Sequence, residues 1–338
     1  MLLGVMTTPS PKVGDRVPVP FSKIFDPPET RAEVMVNRRD GQAFAQLATD
    51  LTLDHPEQFE DYLAGSTPRE ELAYRAGRPL VAWVAAGLSG GGQRSLLAPA
   101  LMVVSIASLG GVVAATAAAA SRLQRDPSRS WVVILLPGFV VSIFAPGGCE
   151  PLAVGLTLFG WVLWSFDGKT RLPVALWCLA ALARETSLIV PIALAIVSPG
   201  SLRRRAYALL IPIGTYGGWL LVVRWRTGLF PGNAGGGRVS LVFQGLVDVA
   251  GVWTAAEWGV LALIVGLGVV AWRAELPGTR TVLVFHLLAA SALGPLVWQQ
   301  AIDFSRVFVI VQLLGVLALL RHGSTATTRG EPAGLEIR

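Results

Sequence analysis

Residues 172–198 read LPVALWCLAALARETSLIVPIALAIVS, an apolar run broken by Arg184, Glu185, Thr186 and Ser187. One straight helix through it would be long enough to cross a bilayer. It would also hold two ionisable side chains near the hydrocarbon centre, where they are costly. Two half-length helices forming a hairpin lift the pair to one surface instead. Thr186 and Ser187 are then able to cap the second helix, with Pro191 in its early turn.

The charges on either side choose between these readings. The breaks that carry Arg122, Arg125 and Arg129, Lys169 and Arg171, Arg203 to Arg205, and Arg273 and Arg280 all belong on the cytoplasmic face by the positive-inside rule. A single span at 172–198 would put the loops flanking it on opposite faces. The hairpin gathers all of them inside, together with Arg321 of the tail.

Composition agrees with a membrane protein. Of the 338 residues 53% are hydrophobic and 15% charged, against roughly 25% charged in soluble domains, and the mean hydropathy is +0.57. So little charge cannot cover a soluble surface, which excludes a soluble enzyme, a disordered chain and a nucleic-acid-binding domain. The net charge of +6 is accounted for largely by loop arginines. Cys149 and Cys178 match no metal or redox spacing.

The expected fold is all-α: a polytopic membrane protein with about seven spanning helices plus the hairpin. The spans are expected at about 95–121, 131–146, 149–166, 203–223, 253–271, 281–297 and 304–320. Residues 1–94 form an extracytoplasmic segment, 95–320 the transmembrane domain and 321–338 a cytoplasmic tail. The first segment opens on prolines (Pro9, Pro11, Pro18, Pro20, Pro27, Pro28) and holds one longer helical pattern, residues 69–88. The apolar half of that pattern is too short to span and is expected to lie at the interface. An outer leader needs a signal or a preceding span, and residues 1–6 are too short for either, so a first membrane helix is expected upstream of Met1.

On this topology the out-of-place polar residues gather on the outer face. Asp40 stands in Arg38-Arg39-Asp40-Gly41-Gln42, before a helical pattern over 43–51; it can act as an N-cap or as a general base. Glu150 follows Gly147-Gly148-Cys149 and opens an apolar span, where a carboxylate suits the positive helix end or binds a sugar hydroxyl or metal. Arg184 and Glu185 can pair with each other, as can Asp303 and Arg306 at i,i+3. Arg75 and Arg78 are expected on one helix face. Arg224 and Arg226 break the positive-inside pattern, as interfacial anchors beside Trp219 and Trp225 or as donors to an anion. Gly235-Gly236-Gly237 lacks the Lys-Ser/Thr of a P-loop, and His286, alone in an apolar span, reads as a hydrogen-bonded core residue.

The order of these motifs resembles the polytopic GT-C type glycosyltransferases of bacteria, in the branch that forms cell-surface glycopolymers. The pieces are Asp40-Gly41-Gln42, Tyr74-Arg75 with Arg78, Glu150-Pro151-Leu152-Ala153, Arg184-Glu185-Thr186 ahead of Pro191, and Asp303-Phe304-Ser305-Arg306. The resemblance spans about residues 38–320. It implies a multi-pass protein of the bacterial plasma membrane that transfers sugar from a polyprenyl-phosphate donor to a glycan or lipid acceptor on the outer face, with inversion. Asp40 would be the catalytic general base and Glu150 a second acidic residue of the catalytic site, orienting acceptor or donor. Gln42, Tyr74, Arg75, Arg78, Arg184, Glu185, Asp303 and Arg306 would bind substrate, the arginines holding the phosphate. No cofactor is implied, with a divalent metal left open, and no nucleic-acid partner. A glycolipid flippase, or a non-catalytic subunit of a glycopolymer assembly system, is the alternative.

Overall fold

A computed structural model describes residues 40–59, 67–144, 147–231, 243–274, 276–298 and 301–320. The proline-rich leader, Gly235-Gly236-Gly237 and the tail lie outside them. Among the described residues the chain is helical throughout, with no strand. In chain order the helices are α1 Asp40–Thr49, α2 Pro68–Ala76, α3 Leu80–Leu88, α4 Arg94–Arg122, α5 Pro137–Phe144, α6 Glu150–Ser165, α7 Arg171–Ala183, α8 Ile189–Val197, α9 Leu202–Thr227, α10 Gln244–Ala250, α11 Ala255–Arg273, α12 Thr279–Ser291, α13 Pro295–Trp298, α14 Ala301–Val307 and α15 Val309–Leu319.

Three of these, α4, α9 and α11, are long and apolar enough to cross a membrane. Large apolar side chains on their outer surfaces stand exposed, among them Val103, Ile106, Leu210, Leu221, Val265 and Val269. A belt of that kind marks contact with lipid rather than water. The other expected spans are shorter or interrupted. Residues 131–146 divide into a 3-10 segment, Pro127–Leu135, and α5, joined at Pro137. Residues 281–297 leave the helix after Ser291 and re-enter it at Pro295, and 304–320 is interrupted at Phe308 between α14 and α15.

The broken segment folds back on itself. Helix α7 ends at Ala183, Arg184 takes extended backbone, a 3-10 turn covers Glu185–Leu188, and α8 begins at Ile189. Its two outer ends lie at one end of the bundle, each bonded to a neighbouring helix. Trp164 Nε1 at the end of α6 donates to Ser198 Oγ at 2.9 Å just past α8, while Arg204 Nη2 of α9 donates to Lys169 O at 3.4 Å ahead of α7. The expected cap by Thr186 or Ser187 does not form. Leu188 is the N-cap residue of α8 and makes no side-chain cap bond, because the 3-10 turn has already absorbed both hydroxyl residues.

The arginine-bearing breaks meet at this same end. Arg122 pairs with Asp167 at 2.9 Å, Arg125 donates to Leu320 O at 2.8 Å, and Arg280 Nε donates to Trp272 O at 3.3 Å. Trp161 Nε1 reaches Pro277 O at 3.0 Å and joins α6 to the α11–α12 break. The arginine-bearing breaks are thus neighbours in space, with helix carbonyl ends tied down by arginine donors.

The opposite end carries a cap built from α1, α2 and α3 against α4, with Phe44, Leu47, Leu72, Val81, Ala85 and Leu101 in its core. The continuous helix expected over 69–88 is two helices. Gly77-Arg78-Pro79 breaks it, since proline supplies no amide to the ladder and restricts the residue before it. Trp219 Nε1 donates to Ala76 O at 2.6 Å and meets Trp83 edge-on at 4.9 Å, which anchors this break to α9. Leu80 packs with Ala153, Leu182 and Ala183, so the break sits over the tip of the α7–α8 hairpin.

Candidate active site

The break is what lets Arg78 leave its helix. Nε and Nη2 of Arg78 donate to the two carboxylate oxygens of Glu185 at 2.7 and 2.6 Å, the bidentate geometry a planar guanidinium favours. Arg75 stays on α2 and pairs with Glu71 one turn back at 2.6 Å. The two arginines therefore do not share a helix face as expected; they share Tyr74, whose ring lies 5.2 Å from Arg75 and 4.7 Å from Arg78. Burial works against the charge on Arg78, but Glu185 beside it holds its pKa well above the ordinary value.

Arg184 and Glu185 do not pair with each other either. The extended backbone at Arg184 points adjacent side chains in opposite directions. Glu185 goes to Arg78, and Arg184 Nη1 makes a short contact with Glu150 Oε1. Arg306 reaches the same oxygen through Nε at 2.7 Å and Nη2 at 2.6 Å. Its i,i+3 partner Asp303 is farther, at 3.9 Å. One fully buried carboxylate oxygen thus joins α6, the hairpin tip and α14. The other, Glu150 Oε2, has no hydrogen-bond partner among the described residues, nor has Arg184 Nε.

Local sequence explains the placement of Glu150. It starts α6, with Pro151 in the first turn, where the helix dipole favours an anion. Gly148 leaves no room for a side chain: a Cβ there would stand 2.8 Å from Ser142 Oγ and 3.0 Å from Glu150 Oε2. Gly147, at φ +107°, lies against α1, where a Cβ would stand 2.5 Å from Gly41 Cα. The backbone that begins α1 at Asp40 therefore abuts the loop that presents Glu150. The side chains of Asp40 and Gln42 lie outside the described residues.

The structure brings Tyr74, Arg78, Glu150, Arg184, Glu185, Asp303 and Arg306 to one end of the bundle, opposite the arginine loops. Arg75 stands one turn away. The sequence reading missed two residues. Glu71 is fully buried beside Arg75, and the i,i+4 spacing was available to find it. Tyr216 lies within electrostatic reach of Glu185, Arg78 and Tyr74; nothing in the apolar run around it sets it apart.

Elsewhere, Arg226 pairs with Asp54 at 3.1 Å and Arg224 covers Phe230 at 4.3 Å, which fits surface anchoring. His286 is buried with Nδ1 2.9 Å from Val282 O, as expected of a core histidine. Among the described residues no group of three or more His, Cys, Asp or Glu is placed to hold a metal. Comparison with protein-family models, curated proteins and solved structures found no match.

Proposed function

We propose that this membrane protein is a glycosyltransferase that moves a sugar from a polyprenyl-phosphate donor to a cell-envelope glycan or lipid acceptor on the outer face of a bacterial plasma membrane. The observation that carries this reading is the convergence of Arg78, Arg184 and Arg306 on two carboxylates, the buried Glu150 and the part-exposed Glu185. They meet at the end away from the arginine loops, beside the Gly147–Glu150 loop that abuts the backbone of Gly41.

In this reading the donor phosphate takes the place that Glu150 Oε1 holds between Arg184 and Arg306. Fixed guanidinium donors in a partly dry site stabilise the charge that develops on a departing phosphate. The acceptor hydroxyl attacks the anomeric carbon from the face opposite the phosphate and gives its proton to the Asp40 carboxylate. The sugar–phosphate bond breaks with its electron pair on the phosphate oxygen, and polyprenyl phosphate leaves. Glu150, released from its arginines, orients the acceptor. A lipid donor is confined to the bilayer, so its phosphate arrives at the interface where these helix ends lie.

The test is release of polyprenyl phosphate, with inverted stereochemistry in the glycoside product, by the protein in proteoliposomes loaded with polyprenyl-phosphate sugars. Asp40→Asn is expected to remove turnover while donor binding persists. Full turnover by Asp40→Asn would remove that residue from the mechanism. Donor moved across the bilayer without bond cleavage would replace the reading with a flippase.

A further inference from the structure

The arginine-rich end, remote from the proposed transfer site, holds a feature of its own. A cavity of about 590 Å³ opens between the ends of α6, α8 and α11 and the starts of α9 and α12. Three buried polar atoms of its lining residues have no hydrogen-bond partner among the described residues: Ser165 Oγ, Arg204 Nε and Thr279 Oγ1. Thr279 is only 2% exposed. Folded proteins leave few such groups, because each forfeits its hydration with nothing in return, and three around one cavity point to a ligand that satisfies them.

The electrostatics say what kind. Described residues lining the cavity include two arginines, Arg204 and Arg280, and no carboxylate. Arg204 is held at the wall by a 2.8 Å bond from Nη2 to Trp164 O and by lying 4.0 Å over the Trp164 ring. Gly278, at φ +72°, precedes α12 as its N-cap residue and supplies no side-chain cap, so the positive end of the helix dipole is turned to this region. Two of its apolar lining residues, Val197 at 44% and Trp272 at 45%, are exposed, as suits a site that meets lipid.

We propose that this cavity binds a phosphate group through Arg204, the Thr279 hydroxyl and the first turn of α12, its source being the headgroup of an anionic phospholipid. Basic pockets between helices on the positive-inside face are suited to such headgroups. The inference does not depend on the transfer reaction, and its test needs no sugar donor.

The full-length protein is melted in nanodiscs of phosphatidylcholine alone and with phosphatidylglycerol added, and separately in phosphatidylcholine discs with inorganic phosphate. Phosphatidylglycerol is expected to raise the melting temperature of the parent. In Arg204→Gln the half-saturating lipid fraction rises about tenfold, the loss of one charge-assisted contact. Thr279→Val is the second variant: in phosphatidylcholine alone it melts at or above the parent, since its hydroxyl has no partner to lose, yet its response to phosphatidylglycerol is weakened. Arg203→Gln, an exposed neighbour bonded to Tyr207, keeps the full response and controls for general surface charge. A shift with inorganic phosphate that the same variants abolish supports the site and makes soluble phosphate its source. No shift with either probe, or equal shifts in the parent, Arg204→Gln and Thr279→Val, overturns the proposal.

Discussion

Glu150→Gln removes one charge from the most buried node of the cluster. The carboxylate is fully enclosed and one of its oxygens meets both Arg184 and Arg306. Arg184 is itself only 7% exposed, so its charge cannot be returned to water by a small movement. Removing one partner of a buried pair typically costs about 3–5 kcal/mol. Glutamine keeps an acceptor oxygen and places the effect toward the lower end. With the usual unfolding entropy of about 2.1 cal/mol/K per residue over 338 residues, a loss of about 3 kcal/mol lowers the melting temperature by roughly 4 °C. The assay is a thermal melt of the purified protein in detergent, run as a double-mutant cycle with Arg184→Met. The two substitutions are expected to couple by about 0.5–3 kcal/mol, because the second removes the charge that the first left unpaired. Glu150→Gln melting with the parent, or purely additive effects, would refute the reasoning.

Three further outcomes follow from the packing and charges. Gly147→Ala sets a Cβ 2.5 Å from Gly41 Cα at a positive φ and is expected to cost about 1–3 kcal/mol, checked by chemical denaturation. Gly315→Ala drives a Cβ to 2.6 Å from Leu267 O, where α15 crosses α11 closely; small residues permit such contacts in membrane bundles, and loss of melting temperature without loss of donor binding is expected. In the cap formed by α1 to α3, burial raises the pKa of Asp50, but the amides of His55 and Asp54 and the Thr52 hydroxyl outweigh it and leave the pKa lowered. Its ionised form therefore stabilises the fold above the ordinary carboxylate value of about 3.9, and that contribution is lost as pH falls through the lower folded value. The acid limb of a stability–pH curve should be shallower in Asp50→Asn; identical limbs would contradict this.

The features of the fold that depend on composition and loop charge were legible in the sequence. Breaks that share arginines lie together, and the Arg184–Glu185 interruption reverses the chain. Partner choice was not legible, because adjacency in sequence is a poor guide where extended backbone separates side chains. Arg184 belongs to Glu150 and Glu185 to Arg78, contacts across 34 and 107 residues. The break at Gly77-Arg78-Pro79 was written in its glycine and proline but hidden by the apolar pattern that continues from Leu80. Without that break Arg78 would have stayed on one face with Arg75 and could not have covered the hairpin tip. Glu150 stood out for the opposite reason, since Gly-Gly-Cys-Glu-Pro is a costly way to join two apolar helices unless the carboxylate has a use.

The proposed function requires one sidedness: the charged cluster facing outward and the arginine loops facing the cytoplasm. With Cys149 and Cys178 replaced by alanine, single cysteines at Gln93 and Ser201, both exposed and at opposite ends of the bundle, are treated with a membrane-impermeant thiol reagent in intact cells and in inverted vesicles. The expected result is labelling of position 93 only in cells and of position 201 only in inverted vesicles. Labelling of both from one side, or the reverse pattern, would contradict the account.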